Sequence, residues 1–180
     1  MQKHTSKAPS RISAQAVGAY GEKVVEAELL RRGWIPSNVN ASIKNAVDFD
    51  IFAQKDGRAV NLRVKTCGPG MDAFQFSFRP GRDVVQPFNA TDFTVLVQMG
   101  RSRIEDAFYV MPTEVVRSTI SAYSTEYLAK PKRDGNDRKN TGHWTLYLKP
   151  LRSHEARENR DLQTKWSTHL NNWRLLDHSL

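Results

Sequence analysis

Within the runs 47–53 and 59–66, apolar and polar positions alternate over 47–51 and again over 60–65, and an Asp56-Gly57 pair lies between the two runs. A period of two marks a half-buried strand, and Asp-Gly between two such runs favours a tight hairpin turn. The pattern predicts a β-hairpin. Asp48 and Asp50 share one face of its first strand, with Phe49 and Ile51 on the other. Asn61, Arg63 and Lys65 share one face of the second strand, with Leu62 and Val64 opposite. Upstream the period changes. Val17, Val24, Ala27 and Leu30, or apolar residues beside them, recur at helical spacing and predict a helix that stops at Gly33.

Downstream, Phe74, Phe76 and Phe78 alternate with Gln75 and Ser77, predicting a half-buried strand between the turn clusters at 67–70 and 79–82. Thr94 to Met99 is a continuous apolar run, as expected of a central strand covered on both faces. A further strand begins at Ala107, and a helix follows from Pro112 to Ile120, its proline suited to a first turn. His143 to Leu148 alternates as a last strand. In the tail, Leu162, Trp166, Leu170 and Trp173 recur every three or four residues and predict one apolar helical stripe. Such a stripe packs on its own domain or meets a partner helix, a homodimer included. The organisation expected is a basic flexible arm over 1–13, one α/β domain over 14–150 and a helical tail over 151–180. The domain would hold a central mixed β-sheet of about five strands flanked by helices.

Composition narrows the partners. The chain of 180 residues has 27 Lys and Arg against 19 Asp and Glu, a formal net charge of +8. A basic surface binds phosphates through counterion release, although diffuse solvated charge gives the same totals. Here the excess is partly concentrated. Residues 130–140 hold Lys130, Lys132, Arg133, Arg138 and Lys139 against two acids, in a loop containing Gly, Pro and Asn. The first residues are polar and lack the apolar core of a signal peptide, and no apolar run is long enough to cross a membrane. Cys67 is the sole cysteine, which leaves no internal disulfide and no cysteine-rich zinc site and suits a reducing cytoplasm. The histidines are scattered without zinc-site spacing.

Two acids and a lysine on adjacent strands make a candidate site for a divalent cation and a phosphate. They are equally the solvated face of an ordinary hairpin. The order of elements adds to the picture. A helix carrying Gly21-Glu22, then Gly33-Trp34, a short extended stretch, and a hairpin with Phe49-Asp50-Ile-Phe-Ala53 and Leu62-Arg-Val-Lys-Thr66 resembles the PD-(D/E)XK nuclease superfamily. The likeness is strongest to its resolvase-like and restriction-endonuclease-like members, and it spans about residues 15–150. It implies a restriction-endonuclease-like fold and metal-dependent endonucleolytic hydrolysis of DNA. Asp50 would hold Mg²⁺ or Mn²⁺, Glu22 would assist directly or through water, and Lys65 would position the attacking water.

One position departs from the pattern. Two residues before the lysine the family usually carries an acidic metal ligand, and here the residue is Arg63. A guanidinium has no acceptor atom and repels a cation. Two readings stay open. Glu22, Glu26 or Asp48 supplies the missing ligand, and Arg63 holds the scissile strand. Alternatively Arg63 pairs with Asp50 and the fold is a catalytically inactive module that binds nucleic acid or a protein.

Overall fold

In the computed structural model, which describes residues 12–39, 49–78, 89–149 and 161–178, the hairpin turns where the sequence places it. Asp56 and Gly57 have φ of 49° and 76°. Both central residues are left-handed, the geometry that matches the twist of the flanking strands. Strand β1 (Ile35–Asn38) pairs antiparallel with β2 (Ile51–Lys55), and β2 pairs antiparallel with β3 (Arg58–Cys67). After β4 (Ala73–Ser77), β5 (Asp92–Gln98) runs parallel to β3, and β6 (Ala107–Pro112) closes the sheet antiparallel to β5. The sheet is mixed, five-stranded and ordered β1-β2-β3-β5-β6. β5 is covered on both faces, as its apolar run requires. Two of the strands stand apart from this sheet: β4 pairs with β7 (His143–Tyr147) in a separate two-stranded ribbon.

Helix α1 (Ala14–Arg31) lies on one face of the sheet, its N-terminus capped by Ser13, which accepts from the Ala16 amide. Its buried side is Val24, Val25, Glu28 and Leu29, whereas Leu30 is exposed. The apolar stripe is thus turned by about one position from the one predicted. These residues pack with Ile51, Leu62, Val64 and Val95, each buried aliphatic contributing about 1.5–3 kcal/mol before ordering entropy. Gly33 (φ 80°) ends the helix and sends buried Trp34 back into this core. Helix α2 (Thr113–Leu128) covers the other face, where Val116 and Ile120 meet Leu96, Met111 and the inner side of the ribbon.

The tail is not one helix. A single turn, α3 (Leu162–Lys165), is followed by short 3-10 segments. Leu162 and Trp166 join the core under α2, Trp173 and Leu176 join the core under α1, and Leu170 is exposed. The segment passes over edge strand β6, where the Asn171 amide donates to the Phe108 carbonyl at 2.6 Å and the Phe108 amide donates to Asn171 Oδ1 at 3.1 Å. An apolar recurrence of three to four fits such a wrap because each turn of chain reaches a different core. Most of the basic arm expected over 1–13 and all of the 79–82 turn lie outside the described residues. Among the described residues no helix is long and apolar enough to cross a membrane.

Candidate active site

Asp50 sits immediately before β2, at the point where β2 and β3 begin to part. Its amide donates to the Leu62 carbonyl at 2.8 Å, and its carbonyl accepts from Val39 at 2.9 Å. Its Oδ2 accepts from the Val64 amide at 2.7 Å, where the ladder would otherwise supply a backbone carbonyl. The side chain thus replaces a missing strand residue and is fixed by that substitution. Strand alternation puts it on the face carrying Arg63 and Lys65, as predicted from the sequence.

Glu22 approaches from α1, and a glycine sets how closely. A Cβ at Gly21 would stand 1.7 Å from Thr66 Oγ1, so the helix backbone touches β3 at a place only glycine allows. Asn38 of β1 then fixes the carboxylate, its Nδ2 donating to Glu22 Oε2 and to Glu26 Oε1, both at 2.9 Å. The amide offsets the repulsion of two acids one helical turn apart. Nothing in the sequence pattern singled out Asn38.

Lys65 brings these elements together electrostatically. Burial draws its ammonium below the ordinary lysine range; Arg63 adds to that, Asp50 opposes it, Arg117 lowers it further and Glu22 raises it. Two carboxylates and two guanidiniums therefore act on one amine. Arg117, buried on α2, stacks on the Phe78 ring at 4.2 Å. The sequence pattern did not reveal it, since an arginine on the inner side of a helix has no signature apart from the apolar positions around it. Arg63 lies on β3 opposite Thr94 of β5, on the site face. Asp48 falls outside the described residues. Cys67, beyond the hairpin, is buried and its thiol is pushed up to about 11, a packed rather than a reactive group.

The basic loop runs from the end of α2 to β7. Of its five cations, Lys130 pairs with Glu126 at 2.6 Å and Arg138 stacks on Tyr127 at 4.3 Å. Lys132, Arg133 and Lys139 are exposed and have no acidic partner among the described residues. The loop ends beside the cluster: the Phe78 amide donates to the Gly142 carbonyl at 2.7 Å, and Phe78 carries Arg117.

A five-stranded mixed sheet with helices on both faces defines an α/β fold, with a charged cluster where two of its strands part. Among solved structures the chain is similar to a bacterial homing endonuclease, I-Ssp6803I, with a TM-score of 0.51 and 15% sequence identity over 94% of this chain and 95% of that one. At that identity the likeness is one of fold. MepB, at a TM-score of 0.37 and 9% identity over 84% of this chain and 95% of that chain, is too distant to bear on the site. No protein-family model and no curated protein matches the sequence.

Proposed function

We propose that this chain is a metal-dependent endonuclease that hydrolyses phosphodiester bonds in DNA. The observation that carries the reading is that Asp50 is fixed where β2 and β3 part, on the strand face of Lys65 and Arg63, with Glu22 of α1 in electrostatic range of the same lysine. The donors suit Mg²⁺ or Mn²⁺. Mg²⁺ keeps several waters and takes one or two protein carboxylates, the number that Asp50 and Glu22 offer. Among the described residues no group of three or more His, Cys, Asp or Glu side chains could hold an ion, which leaves further positions to water and phosphate. A divalent ion held there supplies Lewis acidity to the phosphate and a lowered pKa to water.

The remaining chemistry belongs to the chain. Lys65, held as an ammonium beside Asp50, would position the attacking water and stabilise the charge that develops on the phosphate. Arg63 and, from behind it, buried Arg117 add positive charge that would stabilise the negative charge building on the phosphate. Asp50 and Asn38-bound Glu22 are held in place beforehand, so little reorganisation accompanies the reaction. The test is incubation of the protein with supercoiled, linear, single-stranded and branched DNA in Mg²⁺, Mn²⁺ or chelator. Metal-dependent nicking is expected, and Asp50→Asn and Lys65→Met should abolish it. Absence of nicking together with absence of metal binding by calorimetry would sink the proposal.

Arg63 favours a second reading, a non-catalytic module that binds nucleic acid or a protein. Arg63→Glu separates the two. In an active enzyme it sets negative charge against phosphate and should lower Mn²⁺-dependent nicking about ten- to hundredfold, roughly 1.4–2.8 kcal/mol. In an inactive module it adds two acceptor oxygens, so metal affinity rises and nicking can only be gained.

A further inference from the structure

The β4–β7 ribbon has two unlike faces. Phe74, Phe76, Trp144 and Leu146 point inward to the core under α2. The other face carries Gln75, Ser77, His143, Thr145 and Tyr147, and Gln75, Ser77 and His143 are exposed. Ser77 and His143 are cross-strand partners, with Ser77 Oγ 3.0 Å from His143 Nδ1. That contact orients the imidazole and leaves its second ring nitrogen without a hydrogen-bond partner among the described residues. Every side chain on this outer face beyond Ala73 can donate or accept a hydrogen bond, and none is acidic.

The charge around the ribbon is not neutral. The loop carrying Lys132, Arg133 and Lys139 opens directly into His143, and the ribbon's end is tied through Phe78 and Arg117 to the Lys65 cluster. The major groove of a duplex admits a two-stranded ribbon and presents there a donor and acceptor pattern unique to each base pair. An amide such as Gln75 matches adenine in two hydrogen bonds, and the cations of the loop at the His143 end match the adjoining phosphates.

We propose that the outer face of the β4–β7 ribbon reads base edges in the major groove of duplex DNA, with Gln75 and His143 as specificity-determining residues and the adjacent basic loop on the flanking phosphates. This deepens the endonuclease reading and rests on its assignment of DNA as the ligand. The ribbon selects where the duplex is held, while the Asp50–Lys65 cluster acts on the backbone.

The experiment is selection of bound sequences from a randomised duplex pool in chelator, using the full chain and its Gln75→Ala, Gln75→Glu and His143→Ala variants. The parent is expected to enrich a motif. The Gln75 variants should lose preference at one or two adjacent base pairs, with affinity for the parent's site falling about ten- to hundredfold. His143→Ala should relax a neighbouring position. Affinity for unrelated duplex, and its salt slope, should stay unchanged, which also checks that the variants fold. An unchanged motif in all three variants overturns the proposal, as does a parent that enriches no motif or binds only single strands. Nicking assays on the same proteins separate the two claims. A motif that shifts with Gln75 in a chain that never nicks leaves the ribbon standing and removes the enzyme. Nicking with a motif indifferent to Gln75 and His143 does the reverse.

Discussion

Asp50 carries a structural duty as well as a chemical one. Its carboxylate accepts the Val64 amide, so Asp50→Ala strips a partner from a strand donor that has no carbonyl opposite. The expected loss is about 1–3 kcal/mol of stability along with all cleavage. Asp50→Asn keeps an acceptor oxygen and should stay within about 1 kcal/mol of the parent in denaturant melts while still failing to nick. Equal melts for both variants would mean that the Val64 hydrogen bond contributes nothing to holding the strands together. Lys65 has the opposite balance. The ordinary lysine value is 10.5, and the folded chain holds Lys65 below it. Between the folded value and 10.5 the unfolded chain binds more protons, so stability rises with pH across that window. Below the window the full penalty of a charged, partly buried amine is present. Lys65→Met should therefore melt about 2–4 °C higher than the parent at neutral pH, the gap narrowing as pH approaches 10.5. A constant gap across that range would show that the amine is not electrostatically strained. The alternation of residues 47–66 placed Asp50, Arg63 and Lys65 on one face because a strand's period is rigid. Arg117 and Asn38 were not legible, since each reaches the cluster only through packing between elements far apart in sequence.

At the scale of elements, the close approach of Gly21 to Thr66 sets the distance between α1 and β3. Gly21→Ala forces the helix outward and should cost about 1–3 kcal/mol, displacing Glu22 and lowering nicking with it. Adding Thr66→Ala removes the nearest obstructing atom, so the pair should recover part of the stability, a coupling that single mutants cannot mimic. Additive losses in thermal melts would show that the two residues do not meet. Local signals specified the hairpin well: Asp56-Gly57 fixes the turn, and the turn fixes the register. The ribbon is another matter. β4 and β7 each alternate convincingly, but their paired residues Ser77 and His143 are 66 positions apart in sequence, and alternation says nothing about which strand a strand will choose. The α1 stripe was misplaced by a position because Leu30, apolar but exposed, competes in the pattern with buried Glu28, whose carboxylate is satisfied by Arg31, Arg32 and Arg103.

For the molecule as a whole, the excess of positive charge matters through where it is free. Lys130 and Arg138 are already engaged with Glu126 and Tyr127, so Lys132, Arg133 and Lys139 should dominate the grip on a duplex. Replacing those three with Gln should weaken binding to all sequences and reduce the slope of log affinity against log salt by about 2–3, near 0.9 for each phosphate that is no longer neutralised. An unchanged slope would place the grip elsewhere. The tail raises a different matter, that of self-association. Strand β6 is the last in the sheet, and an open strand edge is a template on which further copies can add. Asn171, in the left-handed conformation at φ 52°, presents one backbone donor and one side-chain acceptor to Phe108 and so occupies the docking position of a neighbouring chain. The 161–178 segment then behaves as a built-in competitor for the chain's own polymerisation. Removing everything after residue 160 should turn a well-behaved protein into one that scatters light on concentration, with a rise in intermolecular β-signal by infrared spectroscopy. Asn171→Pro, which deletes the donor and the acceptor but keeps Trp173 and Leu176, should move partway to the same end. If both remain monodisperse by light scattering, the edge is guarded by something other than the tail.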